Sequence, residues 1–225
     1  MKGIFVTGTD TGVGKTHIGV RVIRQLRQQG LHVTPRKPVE SGCELKDLRL
    51  VPADAQALND AAGNAGVLSE VCPHCFQPPI SPRRAAKLAN IVITTEHLVA
   101  ACHPPPNTDF LLVEGAGGFY SPLTIDGLNA DLAQALQLPI LLVAADRLGC
   151  LNHILLTTEA ISRRGLKLLA IVLNRADGQP DKDTNNHEDL LELVECPVFA
   201  HPHAEANAST GVDEKLIQLL ISDNG

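Results

Sequence analysis

Residues 3–17, GIFVTGTDTGVGKTH, decide how the rest of the chain is read. Ile4, Phe5 and Val6 form a short apolar run of the kind that makes a buried parallel strand. A loop rich in Gly and Thr follows from Thr7 to Gly14, and Lys15-Thr16 opens a stretch of helical periodicity. Strand, glycine loop, Gly-Lys-Thr and helix in that order are the parts of a phosphate-binding P-loop. Gly12 and Gly14 let the backbone bend so that successive N–H groups, including that of Val13, converge on an anion. The helix N-terminus adds its partial positive charge there. Lys15 reaches the outer phosphates in such a loop, and the Thr16 hydroxyl suits a Mg²⁺ shared with them. The spacing departs from the common G-x-x-x-x-G-K-[ST] in one respect. The first glycine is Gly8, and the place it usually takes is held by Thr9.

From Lys15 the pattern predicts a helix to about Gln29, with Ile18, Val22, Ile23 and Leu26 on one face and Gly30 as its stop. Leu31–Val39 reads as a second strand that leads into KPVESG at 37–42. Lys37 then lies near a strand's C-terminal end, where open parallel sheets place their ligands. Taken by itself, a lysine there is more simply a solvated residue. Residues 43–53 read as a loop, and Asp54 stands at the start of a helix, ADAQALNDAA. An Asp in that place is more often a cap than a metal ligand. The segment 72–84, CPHCFQPPISPRR, has four prolines and no periodicity, so it reads as an extended surface connection beside the site.

DFLLVEGAGG at 109–118 is the second strong signal. Phe110–Val113 reads as a buried strand with Glu114 at its C-terminal end and a glycine turn after it. P-loop proteins carry a metal-holding acid in this place. The turn Gly115-Ala116-Gly117-Gly118 has N–H groups to offer an anion. Further strands are predicted over 139–145, 166–173 and 197–200, with helices over 127–136, 152–164, 181–194 and 212–221. Asn174, at a strand's C-terminal edge, reads either as an adenine contact through its amide or as a cap. Strands alternating with helices throughout 225 residues predict a single α/β domain. Its sheet is doubly wound and mainly parallel, with helices on both faces, of P-loop NTPase type.

Composition excludes several partners. A net charge of -6, no Trp and six Phe plus Tyr argue against nucleic acid. No apolar run approaches the ~20 residues of a membrane span. The sequence opens directly on a strand without a signal-peptide pattern, so a cytoplasmic protein with reduced thiols is expected. Cys72-Pro-His-Cys75 has the spacing of half a zinc site, but no second C-x-x-C accompanies it. Two loop thiols are the simpler reading.

Taken together, these segments resemble the dethiobiotin synthetase family. The resemblance is carried by GTDTGVGKT at 8–16, KPVESG at 37–42, ADAQAL at 53–58, SPRRAA at 81–86, VEGAGGFYSPL at 113–123, LGCLNH at 148–153 and LNR at 173–175. It covers nearly the whole chain. It implies an ATP- and Mg²⁺-dependent ligase that closes a ureido ring on 7,8-diaminononanoate with CO₂. The route runs through a carbamate and a carbamic-phosphoric anhydride. The resemblance implies that Lys15 and Lys37 are catalytic. It places nucleotide and metal on Gly12 to His17, Asp54, Glu114, Gly115, Ala116, Gly117, Asn174, Arg175 and the region of Pro202. The metal ligands are Thr16, Asp54 and Glu114. Substrate contacts are Thr11, Ser41, Gly117, Gly118 and Asn152, the last reaching the neighbouring subunit of a homodimer. Two departures stand out. Arg83 follows Ser81-Pro82 where the family has His, and Glu40 brings an acid close to the expected carbamate. A regulatory P-loop ATPase of the partitioning and septum-placement type is the rival. That group has a lysine where this chain has Asp10, and a basic terminal helix where this one has one Lys against three acids.

Overall fold

A computed structural model describes residues 2–175, 185–201 and 211–222. In chain order the elements are β1 (Lys2–Gly8), α1 (Lys15–Gln28), β2 (Val33–Arg36), β3 (Val39–Ser41), β4 (Glu44–Lys46) and β5 (Arg49–Val51). Next come α2 (Ala53–Ala61), α3 (Leu68–Val71), β6 (His74–Phe76), α4 (Pro82–Leu88), α5 (Thr95–Ala101) and β7 (Phe110–Gly118). The chain continues with α6 (Asn129–Leu136), β8 (Ile140–Ala145), α7 (Cys150–Arg163), β9 (Leu168–Asn174), α8 (Asn186–Leu193), β10 (Val198–His201) and α9 (Gly211–Ser222).

Six of the strands form one sheet in the order β10-β9-β8-β1-β7-β2, and every pairing in it is parallel. The period of two along β1 explains how it is covered. Phe5 faces one side, with Leu132, Ile154 and Ile161 from α6 and α7. Ile4 and Val6 face the other, with Ile18, Val22, Ile23 and Leu26 of α1, Leu58 of α2 and Leu216, Ile217 and Leu220 of α9. Both faces are therefore dry, which is why the central strands are unbroken apolar runs. This is the doubly wound α/β architecture expected from the sequence.

β2 pairs with β7 and not with the P-loop strand, because β7 inserts between β1 and β2. β2 is thus an edge strand, where Pro35 can sit without losing a ladder hydrogen bond. β7 is longer than expected. Glu114 lies at its middle, and the glycines after it continue the strand to Gly118 before the chain turns, with Ser121 N–H donating to Gly118 O at 3.0 Å. Positive φ at Gly117 (75°) and a register shift against β1 between Val6 and Gly8 accommodate that extension.

The loop expected over 43–53 contains the antiparallel hairpin of β4 and β5, turned by Asp47 and Leu48 at φ 47° and 62°. The connection over 72–84 contributes β6, which pairs in parallel with β3. Pro202 and the first part of the helix expected from Asp181 lie outside the described residues. No helix among the described residues is long and apolar enough to cross a membrane.

Candidate nucleotide and substrate site

The C-terminal ends of β1, β2 and β7 open on a cavity of about 500 Å³. The glycine loop supplies one wall with Thr11, Gly12, Gly14, Lys15 and Thr16; Lys37, Glu40, Ser41 and Asp54 supply the facing one. Pro79, Ile80, Ser81 and Pro82 form a third side, and Ala116, Gly117 and Ser121 the floor. Two of the four prolines of the 72–84 connection, Pro79 and Pro82, thus line the site, while Arg83 is exposed and does not.

Local geometry explains the loop. Gly14 sits at the N-cap of α1 with φ 94°, a left-handed conformation that favours glycine. A Cβ there would also come within 2.0 Å of the Asn174 amide nitrogen. Lys15 is buried, and its ammonium donates to the Asp10 carbonyl at 2.8 Å. Burial first, then the neighbouring Lys37 cation, pulls the Lys15 pKa down to about 8. His17 lies exposed on the first turn of α1.

Opposite the loop, Lys37 is buried in a nest of oxygen atoms. Its ammonium is bonded to Glu114 Oε1, lies 3.2 Å from Asp54 Oδ2 and donates to the Gly115 carbonyl at 3.2 Å. Burial works against the Lys37 cation, but Glu114 and Asp54 more than offset it, and its pKa stands above the ordinary lysine value. Asp54 is held below the usual carboxylate range despite burial, by Lys37 and by a hydrogen bond with Thr16. The Thr16 hydroxyl also donates to Glu114 Oε1 at 2.9 Å. Thr16, Asp54 and Glu114, three widely separated residues, therefore meet around one ammonium.

This donor set suits a hard divalent cation. Mg²⁺ is usually held by one or two carboxylates with hydroxyl, water and phosphate oxygens. Glu114 Oε2 is buried and has no hydrogen-bond partner, so this carboxylate has an acceptor left over. Among the described residues no group of three or more His, Cys, Asp and Glu is placed to hold a metal.

Glu40 has a role the sequence did not disclose. It is buried, and its Oε1 and Oε2 accept from the N–H groups of Asp54 (3.1 Å) and Ala55 (3.0 Å). The N-cap of α2 is Pro52, which offers no side-chain acceptor, so Glu40 on β3 caps this helix from outside. Asp54 is accordingly a first-turn residue of α2 and not its cap. Burial raises the Glu40 pKa, opposed by the two N–H groups.

The remaining expected contacts are more scattered. Asn174 ends β9 and is buried, with its amide donating to the Val13 carbonyl at 3.0 Å; that nitrogen braces the P-loop. Arg175 is drawn to Asp146, 2.7 Å away, and Asn186 holds the other oxygen of the same carboxylate at 2.7 Å. Gly115 packs so closely on Asn129 that a Cβ would fall within 2.5 Å of its amide atoms. Gly118 N–H donates to the Ser121 hydroxyl at 2.8 Å, which orders the floor of the cavity. Asn152 is exposed on α7 and does not line this cavity.

A family model described as an AAA domain matches residues 2–205. The ATP-dependent dethiobiotin synthetase BioD of Anaeromyxobacter dehalogenans (strain 2CP-C) is 42% identical over 182 residues, covering 80% of each chain. The protein of the same name from Rhodopirellula baltica is 37% identical over 209 residues, covering 87% of this chain and 82% of its own. That of Halalkalibacterium halodurans is 34% identical over 227 residues, covering 99% and 93%. The chain belongs to the dethiobiotin synthetase family. The crystal structure of cell division protein FtsY from Thermotoga maritima has a TM-score of 0.50 at 18% identity, covering 98% of this chain and 68% of that one. That likeness is one of fold alone. In this dethiobiotin synthetase family member, KPVESG and VEGAGG are joined by the Lys37–Glu114 contact, and Lys37, Glu40 and Ser41 of one and Ala116 and Gly117 of the other line the cavity.

Proposed function

We propose that this protein is an ATP-dependent dethiobiotin synthase. It would join 7,8-diaminononanoate and CO₂ at the cost of ATP, in biotin biosynthesis, in the cytoplasm. The observation that carries this reading is the buried Lys37 ammonium placed between Glu114 and Asp54, across the cavity from the P-loop. A lone phosphate site has no need of a second buried lysine there. A site that brings an anionic carbamate to a triphosphate does, because two anions must approach each other.

The chain's own groups divide the work as follows. N–H groups from Gly12 to Thr16, with the Lys15 ammonium, hold the phosphates. Thr16, Asp54 and Glu114 would hold Mg²⁺, which when bound offsets phosphate charge and aligns the γ-phosphoryl group. Lys37, with Ser41 on the same segment, faces the carbamate that one amine forms with CO₂. A carbamate oxygen attacks the γ-phosphorus and ADP leaves. The second amine then attacks the carbamoyl carbon, phosphate leaves and the ring closes. Holding the carbamate in line is the proximity contribution of Lys37, Ser41 and the Gly117–Gly118 floor. Thr11 and Gly117, which line the cavity, would contact the substrate. Asn174 and Arg175 mark the expected base end, with Pro202 further along the chain. A homodimer would bring Asn152 of one subunit to the substrate of the other.

The test is product formation. Purified protein with ATP, Mg²⁺, bicarbonate and 7,8-diaminononanoate should yield dethiobiotin by mass spectrometry. Lys37→Gln should yield little in the same time. Absence of product with the unaltered protein would contradict the proposal.

A further inference from the structure

Behind the wall that carries Lys37 lie three cysteine thiols outside the reaction just described. Cys72 closes α3 and is buried; Cys75 sits in β6 and is half-buried; Cys43 is buried at the end of KPVESG-Cys. The Cys75 and Cys72 sulfurs are 3.7 Å apart. The Cys43 thiol donates to the Glu40 carbonyl at 3.5 Å; burial raises its pKa, and Cys75 lies close enough to raise it further.

This pair is tied to the site through three separate contacts. The Lys37 N–H donates to the carbonyl of Val71, the residue before Cys72, at 2.8 Å. Cys75 is the strand partner of Glu40, which caps α2. Cys72 packs with Val71 against Ala55, in the first turn of α2 beside Asp54. The C-x-x-C turn therefore supports Lys37, Glu40 and Asp54 together.

We propose that Cys72 and Cys75 are a redox modification site, closed to a disulfide by exchange with a low-molecular-weight disulfide, and that closure disturbs the Lys37–Ser41 wall and slows the reaction. The sulfurs must approach by about 1.7 Å to reach the ~2.05 Å of a bond. That movement falls on the turn whose carbonyl holds Lys37. Thiols at this spacing in a reducing compartment more often sense or switch than staple. A metal is the weaker occupant, since no group of three or more metal-ligating side chains is placed for one among the described residues.

The chemistry balances without a further reactant. The Cys75 thiolate attacks one sulfur of the small disulfide, whose S–S bond breaks, and the first small thiolate leaves and takes a proton from water. The Cys72 thiol gives up its proton and attacks Cys75 Sγ. The mixed disulfide breaks, and the second small thiolate leaves and is protonated. Two protein thiols are oxidised and one small disulfide is reduced to two thiols. Roles follow from the surroundings. The sulfur–sulfur hydrogen bond with Cys72 holds the Cys75 pKa below the ordinary thiol value, in spite of burial and Glu40. Cys72 is raised by that same hydrogen bond and by burial, as expected of the resolving partner.

The experiment exposes the full-length protein to graded ratios of oxidised to reduced glutathione. Peptide mapping should find a Cys72–Cys75 disulfide that dithiothreitol reverses. Amide exchange at Lys37 should accelerate on oxidation, and diamine-dependent ADP release should fall by about 10- to 100-fold. ATP binding should be retained, because the P-loop is not part of the turn. Cys75→Ser, or Cys75→Ala if the serine variant folds poorly, should keep the reduced-state rate and lose the sensitivity. Pairing of Cys43 with Cys75, no pairing, or a Cys72–Cys75 bond that leaves Lys37 exchange and turnover unchanged would each overturn the proposal. Only the turnover measurement rests on the proposed function. A reduced protein without synthase activity that still forms the bond and loosens Lys37 would count against the function and for the thiol site.

Discussion

Lys37 Nζ and Asp54 Oδ2 lie 3.2 Å apart, although one residue follows an edge strand and the other belongs to a helix that begins after an intervening hairpin. Through that contact, and a second to Glu114, one ammonium neutralises both acids expected to hold the metal. Lys37→Gln removes the positive charge from a fixed position beside the reacting anions. Turnover should fall by about two to three orders of magnitude, on the scale of a lost oxyanion donor at roughly 2.7–4 kcal/mol. ATP affinity should change little, because Lys15 and the loop backbone hold the phosphates. The variant should also unfold more easily in metal-free buffer, since leaving a buried carboxylate unpaired costs about 3–5 kcal/mol. Mg²⁺ should restore part of that loss. Steady-state kinetics and thermal melts with and without Mg²⁺ check both outcomes.

Glu114→Gln and Asp54→Asn each remove one charge from the set that faces Thr16. Apparent Mg²⁺ affinity should weaken in both, and turnover at saturating ATP should drop. Unchanged Mg²⁺ dependence in both variants would rule out a shared ion.

Glu40 is read from sequence as an unwelcome acid near a carbamate, but the structure commits both its oxygens to α2. Glu40→Ala should therefore destabilise the protein by about 1–3 kcal/mol, the cost of stranding buried N–H groups. It should lower turnover as well, because the first turn of α2 carries Asp54. Urea unfolding and kinetics decide this; a faster enzyme of unchanged stability would favour the repulsion reading.

Asn174→Ala separates two roles for one amide. If bracing Val13 is what matters, affinity for ATP and GTP should weaken together, by about tenfold for a lost hydrogen bond of ~1.4 kcal/mol. If the amide turns outward to read adenine when nucleotide binds, ATP should weaken more than GTP. Titration calorimetry with both nucleotides distinguishes the two.

Much of this was legible in the sequence because it is local. The P-loop announces itself through Gly12, Gly14, Lys15 and Thr16, and the buried strands through runs such as Phe110–Val113 and Ile140–Ala145. What stayed hidden depends on contacts distant along the chain. Nothing near Glu40 says that it caps a helix starting thirteen residues later. Nothing in the period of β2 says that β7 will take its place beside β1. The hairpin of β4 and β5 turns on Asp47 and Leu48, neither of them glycine, so the usual turn signal is missing. Asn174 was rightly placed at a strand end, but its inward hydrogen bond to Val13 depends on how closely β9 approaches the P-loop. The C-x-x-C spacing was visible, whereas the third thiol beside it and the link to Lys37 were not.

The central claim is that ATP cleavage here serves ring closure on a diamine. The most direct measurement is ADP release by the purified protein with Mg²⁺ and bicarbonate, in the presence and absence of 7,8-diaminononanoate. Release should rise steeply only when the diamine is present, with dethiobiotin formed in equal amount. The same rate of ADP release without the diamine would contradict the account and return the site to a P-loop ATPase of another kind.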